Sequence, residues 1–450
     1  MKIGLMLWVM VLALAIIAPG KMTHAQEAKE LSLDEIIDIA LAKSPRLAAL
    51  QRGVEVARRG VNIARGQFFG RADAFGDYLF SGFDVENRRR VGSNIGLMPQ
   101  LSPTFPPDKQ FDNNLFAFGI RYTLPLYTGF RLTAQLDLSR VAALRAEDLV
   151  RQASDELIFN LSSTFYTILR IREDIKATEA SVKSLEEARR VLEKLVEVGR
   201  AAKVDLFKIN TRLAAVRQEL IRIKNAQEIA YGLLNTLMGT EAVGPRVIPK
   251  GILEYIPKKF EIEESVKEAL ERRPEYQARL KELNIQKENV AIARSQRHPQ
   301  ISLRAQWTEA TGDKQGTPFL SDFMAGIVLS MPIFDGRVIR SQVAQEEARL
   351  TRLEQEVMAL RLDVIREVQE AFLNITEAES RIKTAQVALE EAREALRIEQ
   401  LKLEVGRGII EDLLDAQAAA LQAERNVFGA TADYSISIVA LQKAIGAIRP

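Results

Sequence analysis

The chain has 450 residues, 62 Lys and Arg against 60 Asp and Glu, two histidines and no cysteine. So balanced a charge argues against a nucleic-acid partner. Without cysteine the chain forms neither a disulfide nor a thiolate metal site, and carries no lipid on a cysteine.

Residues Ile3 to Gly20 are uncharged and mostly apolar, follow Lys2 and precede Thr23-His24-Ala25. Small residues there suit a signal peptidase, so residues 1–25 are expected to be a cleaved secretory signal and the mature chain to start near Gln26. The run falls short of the ~20 residues a spanning helix needs. The leader holds Lys2 and Lys21 and no acid, so cleavage brings the basic count from 62 to 60, equal to the acidic count.

Four later segments alternate in character. The first, Phe68 to Phe80, sets Arg71, Asp73 and Asp77 on one side. A Gly-, Pro- and polar-rich stretch from Ser81 to Asn113, with Arg88-Arg89-Arg90, reads as a long exterior loop. In the second strand Phe116, Phe118, Ile120, Tyr122 and Leu124 share one face, opposite Ala117, Gly119, Arg121 and Thr123. The chain then runs from Leu132 to Glu197 without proline or glycine. As one helix of about 66 residues at ~1.5 Å per residue, it would be roughly 100 Å long, beyond any globular domain. A turn at Val198-Gly199-Arg200 leads into a returning helix, Asp205 to Met238, on which Asp205 suits the exposed N-terminal amides.

After a linker, residues 241–262, the same plan is written again. Pro45 recurs as Pro274 and Ala64-Arg65 as Ala293-Arg294, 229 residues on; Pro125, Gly129, Gly199, Asp205 and Gly239 recur 207 residues on as Pro332, Gly336, Gly406, Asp412 and Gly446. Constant offsets mark two structural repeats, 26–240 and 263–450. The second has strands Ile301 to Thr308 and Phe323 to Met331 joined by a short connection, Thr311 to Asp322. It also has a proline- and glycine-free helix from Val338, a turn at Val405-Gly406-Arg407 and a return from Asp412 to Ile445. Val368, Ile375, Ile382, Leu389, Leu396 and Leu403 fall every seventh residue beside Ala371, Ala378, Ala385 and Ala392, a heptad seam. In the first repeat the large row reads Leu161, Ile168, Ile175, Val182, Arg189 and Val196, five of six apolar.

Strands of about ten residues, apolar and aromatic on one face and polar or small on the other, carry the signature of a transmembrane barrel. Four cannot close one, because the smallest single-chain barrels have about eight and open edges are not tolerated in lipid. The barrel is therefore shared: two copies would give eight strands, three would give twelve, and the wider pore favours three.

Catalytic chemistry is missing. His24 leaves with the leader, and His298, before Pro299 at a helix-to-strand junction, is alone, so there is no paired-histidine metal site. No phosphate loop, dinucleotide glycine pattern or nucleophile elbow occurs. Neither an enzyme nor a cofactor is expected.

Taken in order, Leu31-Ser-Leu-Asp-Glu-Ile-Ile-Asp-Ile-Ala-Leu-Ala-Lys-Ser-Pro45, Leu124-Pro-Leu-Tyr-Thr-Gly129 and Met331-Pro-Ile-Phe-Asp-Gly336 resemble motifs of the outer-membrane efflux protein family, typified by TolC. The resemblance covers the mature chain. It implies a mixed α and β, TolC-like homotrimer: a twelve-stranded outer-membrane β-barrel, four strands per chain, continued by an α-helical coiled-coil tunnel through the periplasm. It implies partners too, a periplasmic membrane-fusion adaptor at the helical tips and an inner-membrane pump, with outer-membrane lipid around the barrel. Val198-Gly199-Arg200 and Val405-Gly406-Arg407 resemble the adaptor-gripping tips. Asp412-Leu-Leu-Asp415 resembles the acidic ring of the periplasmic aperture, with Asp205 its first-repeat counterpart. Where the family's type member has a gating tyrosine and arginine, this chain has Leu403 and Gly408. The expected function is passive export in a tripartite efflux or type I secretion system; the competing reading is a soluble periplasmic coiled-coil adaptor or scaffold.

Overall fold

The computed structural model describes residues 29–80, 114–244, 246–312 and 320–448. The expected leader and the loop with Arg88-Arg89-Arg90 lie outside them.

Strand β1 (Lys29–Leu31) leads into α1 (Leu33–Lys43) and α2 (Pro45–Gly66). The start of α1 is a reciprocal cap: Ser32 Oγ accepts the Glu35 N–H at 3.4 Å and Glu35 Oε2 accepts the Ser32 N–H at 2.8 Å. A single 3₁₀ turn, Gln67–Phe69, precedes β2 (Arg71–Phe80), so the first strand begins three residues later than its alternation suggests. Then follow β3 (Asn114–Tyr127), α3 (Arg131–Glu197, 67 residues), α4 (Lys203–Leu237, 35 residues) and β4 (Val247–Pro249). The second repeat comprises α5 (Ile262–Arg272), α6 (Pro274–Ser295), β5 (Gln300–Gly312), β6 (Leu320–Ser330), α7 (Val338–Glu404, 67 residues) and α8 (Ile410–Ala444, 35 residues). All four helices of the first repeat recur in the second with identical lengths at the two offsets read from the sequence. Both returning helices start two residues before their aspartates.

The larger sheet has the order β2-β3-β5-β6, every pair antiparallel. On one face Tyr78, Phe116, Phe118, Ile120, Trp307, Phe323 and Ile327 are exposed; on the other, Arg121 Nε donates to Gln306 Oε1 at 2.9 Å and Gln306 Nε2 to Thr308 Oγ1 at 3.0 Å. Apolar outside and hydrogen-bonded polar inside is what a barrel wall in lipid requires. No described helix is long and apolar enough to cross a membrane, which leaves a barrel untouched.

The long helices pair as hairpins, α3 with α4 and α7 with α8, and α3 also packs against α8, α2 and α6. Within the second repeat Val368, Ile375, Ile382 and Leu403 of the heptad row are buried, while Leu389 and Leu396 are half-buried in the isolated protomer. The first repeat departs from the expected seam. Leu161, Ile168 and Ile175 are buried, but toward the tip Leu185 and Leu192 take over, and Val182, Arg189 and Val196 are half-buried. The seam has moved to the neighbouring row, where the second repeat has Ala392 in place of Leu185 and Glu399 in place of Leu192. Leucines there bury more apolar area, and the shift leaves the Arg189 guanidinium free to pair with Glu193 at 3.3 Å.

An extended strap, residues 250–260, ties the two hairpins at mid-length. Leu253 packs on the first core, and Tyr255 and Phe260 on the second. Tyr434 Oη donates to the Ile256 carbonyl at 3.1 Å and accepts the Lys258 N–H at 3.0 Å. Arg172 donates to the carbonyls of Pro249 (3.3 Å) and Gly251 (2.5 Å). A second tie is ionic: fully buried Asp148 on α3 pairs with Lys281 on α6 and with Arg151.

One half-buried acid on α3 gives a pH-dependent prediction. Burial pushes the Asp155 carboxyl up to about 6, against the pull of Arg151 and Lys443. A carboxyl whose folded pKa is raised binds more protons folded than unfolded between roughly pH 4 and 6, so its ionisation costs stability above that window and not below it. Asp155→Asn is expected to raise the melting temperature of the detergent-solubilised protein at pH 7, with the gain disappearing below pH 4. A gain of the same size at pH 3.5 would remove the assignment.

Candidate functional site

Every sequence-derived site residue lies at or near the far ends of the two hairpins. Each tip is closed by the same cap. After α3, Gly199 adopts φ 74° and donates to the Val196 carbonyl at 3.1 Å, while the Arg200 N–H reaches the Leu195 carbonyl at 2.7 Å. After α7, Gly406 adopts φ 71° and donates to Leu403 O at 3.0 Å, with Arg407 N–H to Lys402 O at 2.9 Å. These paired bonds satisfy the last free carbonyls of each helix and demand a left-handed residue, which glycine supplies without strain. A Cβ at Gly199 would meet nothing within 4 Å, so conformation, not space, selects glycine. Val198 and Val405 beside the glycines are exposed apolar residues, as are Val204, Phe207, Leu401 and Ile409.

The two equivalent aspartates are used differently. Asp205 is half-buried at the third position of α4, where its Oδ2 accepts the Ala202 N–H at 3.3 Å: it caps its helix. Asp412 is exposed, as is Asp415 three residues on, and neither forms an ion pair among the described residues. Asp412, Asp415, Ala419, Gln422 and Asn426 recur at steps of three and four along α8 and all are exposed, with Gln422 Nε2 donating to Asn426 Oδ1 at 2.9 Å. The two carboxylates thus end an exposed stripe that is polar except at Ala419.

Leu403 is buried in an apolar cluster shared by both hairpins, with Leu185, Leu192, Ile209, Leu213, Ile410 and Leu413. Gly408 folds over it so closely that a Cβ would lie 2.7 Å from the Leu403 nitrogen.

Polar links between hairpins escape sequence reading. Lys208 Nζ donates to Glu411 Oε1 at 2.9 Å, and that hydrogen bond, followed by the charges of Glu411 and Asp205, holds the ammonium above its ordinary pKa. Higher up, buried Gln417 accepts from Ser184 Oγ at 2.9 Å and donates to Ser181 Oγ at 3.1 Å, and Arg425 donates to Thr178 Oγ1 at 2.9 Å. Gln417 stands between Leu413 and Ala420 on a buried row, the one signal that could have marked it. No metal-holding group of His, Cys, Asp or Glu occurs among the described residues.

The family model described as "Outer membrane efflux protein" matches residues 36–240 and 265–447. Outer membrane protein TolC of Vibrio cholerae serotype O1 is 22% identical over 369 residues, 80% of this chain and 84% of the relative. Alkaline protease secretion protein AprF of Pseudomonas aeruginosa is 20% identical over 416 residues, 91% of this chain and 83% of the relative. The crystal structure of outer membrane protein VceC from Vibrio cholerae superposes with a TM-score of 0.77 at 17% identity, covering 92% of this chain and 96% of the other.

Proposed function

We propose, from the premise that this chain belongs to the outer membrane efflux protein family, that it works as the passive outer duct of a tripartite export machine. It is an outer-membrane channel protein of the efflux and type I secretion kind, a transport protein and not an enzyme. In this reading three copies close a twelve-stranded barrel, a periplasmic membrane-fusion adaptor docks at the tips, and an inner-membrane pump supplies the cargo and the energy.

One observation supports a barrel shared between copies, for which the wider pore of twelve strands favours three. The sheet has two free edges, β2 and β6, on a wall whose outer face is apolar, and lipid tolerates no unpaired strand edge. Unpartnered apolar residues lie along the helices as well, Val204, Phe207 and Ile221 on α4 and Val387, Ile398 and Leu401 on α7. A soluble adaptor or scaffold has no use for such a wall.

The tips support the docking role: exposed valines beside a glycine-capped turn give a partner apolar contact on a rigid end. Exposure of Asp412 and Asp415 supports an acidic aperture, since three copies would set rings of carboxylates around the axis. Asp205, engaged in capping, fits a structural part of that aperture better than a lining one.

Mass measurement of the detergent-extracted protein tests the assembly. A particle of three chains that stays in the membrane fraction until detergent is added is expected; a stable folded monomer, or release without detergent, would sink the reading.

A further inference from the structure

We infer that the contact between neighbouring copies has a definite strand register, Val328 of β6 opposite Asp77 of β2 in the next copy and Leu329 opposite Gly76, and that Met331–Phe334 becomes strand only on assembly. This rests on the homotrimer proposed above. It follows from the duplication, because the chain already contains the equivalent contact once, between its own two repeats.

The offsets hold at the level of single residue pairs. In the first hairpin Arg71 opposes Thr123 and Phe80 opposes Asn114. Moving β2 by 229 residues and β3 by 207 predicts Gln300 opposite Ser330 and Glu309 opposite Ser321, and these are the observed pairs of β5 and β6. The same shifts therefore carry the junction between repeats onto the junction between copies. In the chain β3 runs beside β5 with Arg121 opposite Gln306, Tyr122 opposite Ala305 and Leu124 opposite Leu303. The corresponding pairs are Val328 with Asp77, Leu329 with Gly76 and Met331 with Ala74 of the next copy. Each keeps its face: Leu329, Met331, Gly76 and Ala74 belong to the outer side, Val328 and Asp77 to the inner. A one-residue slip would turn every side chain of one strand to the wrong side.

Two features of the lone protomer mark where that neighbour is missing. Strand β3 continues to Tyr127, paired with Ile301 beyond a bulge at Pro125. Its counterpart β6 stops at Ser330, and the equivalents of Leu126 and Tyr127, Ile333 and Phe334, are 99% and 90% exposed although the sequence is equally apolar. The missing strand residues lack only a partner edge. Next, Gly129 lies so close to His298 that a Cβ would come within 2.7 Å of the His298 Cβ, whereas its counterpart Gly336 has nothing within 4 Å. The position equivalent to His298 in the first repeat is Phe69, which is 70% exposed. Gly336 and Phe69 of the next copy complete the same collar.

The absence of cysteine makes the register directly measurable. Directly opposed residues of an antiparallel pair have Cα atoms about 4.5 or 5.5 Å apart, within disulfide reach, whereas a partner two residues off lies at about 7–8 Å, outside it. The double variants Val328→Cys with Asp77→Cys and Leu329→Cys with Gly76→Cys sample both pair types. Slipped controls are Val328→Cys with Phe75→Cys and Ser330→Cys with Asp77→Cys. Each is oxidised in native outer membranes and run on a non-reducing gel, and the assembly is weighed separately in detergent. At least one opposed pair is expected to give covalent trimer at about tenfold or more the yield of either slipped pair. Slipped pairs linking better, or no pair linking in a protein that weighs as a trimer, would overturn the register while leaving the homotrimer standing. A protein that weighs as a monomer would overturn the homotrimer, and the register with it.

Discussion

Replacing Gly406 with valine is expected to abolish export, leaving at most about a tenth of wild-type activity, while insertion into the outer membrane stays intact. The cap at the end of α7 needs a residue near φ 71°, and a β-branched side chain is a gross outlier there, at a cost on the order of 1–3 kcal/mol. That strain falls on a single turn at the far end of a helix of 67 residues, remote from the sheet. Gly199→Val should behave alike. Alanine meets the same left-handed conformation without a branch at Cβ, and its Cβ at Gly406 would meet only Leu195 Cδ2 at 3.8 Å, so Gly406→Ala should lose export to a smaller extent than Gly406→Val. Export of a reporter substrate and the amount of channel in washed outer membranes are the two readouts. If both fall together, these glycines are folding positions and the docking role is lost.

The second large effect concerns Asp412 and Asp415. Three carboxylates at each level of a narrow aperture attract cations and repel one another. Both side chains are exposed at the end of the exposed α8 stripe, three residues apart and so on neighbouring positions of one helical face. Wild-type channels in planar bilayers are expected to be cation-selective and blocked by multivalent cations from the periplasmic side. Replacing both residues by alanine should weaken block and selectivity together, with block reduced about tenfold or more, without dissociating the trimer. Recordings of the double variant that match wild type in both properties would return these aspartates to an ordinary solvated surface.

Two features of the tips lie outside what a sequence pattern records. Asp205 and Asp412 are the same residue type at equivalent places, yet one caps its helix and the other is exposed. The turns before them also differ: Gly408 folds back against the Leu403 backbone, whereas Ala201, its counterpart, donates its N–H to the Leu195 carbonyl at 3.2 Å. Sequence periodicity does not register backbone path. It also assigns a seam by counting sevens, which placed Arg189 in the first-repeat row. The fold instead buries Leu185 and Leu192, because α3 must pack on α4 and α8 at once and its buried side turns with its neighbours.

What the sequence determined by itself is everything set by local rules and by copying. The absence of proline and glycine over two long stretches specified two helices of 67 residues, glycines at fixed offsets specified their ends, and alternation specified strands with an apolar and a polar face. The duplication specified that both halves share one plan, and the observed pairs of the two hairpins, Arg71 with Thr123 and Gln300 with Ser330, follow it. Only the tertiary structure decided which residues meet between elements far apart in the chain: Gln417 with Ser181 and Ser184, Tyr434 with the strap at Ile256, Asp148 with Lys281. Such partners depend on how helices of this length lie against one another. A small rotation of one helix exchanges a buried row for its neighbour, and no periodicity within a single segment fixes that rotation.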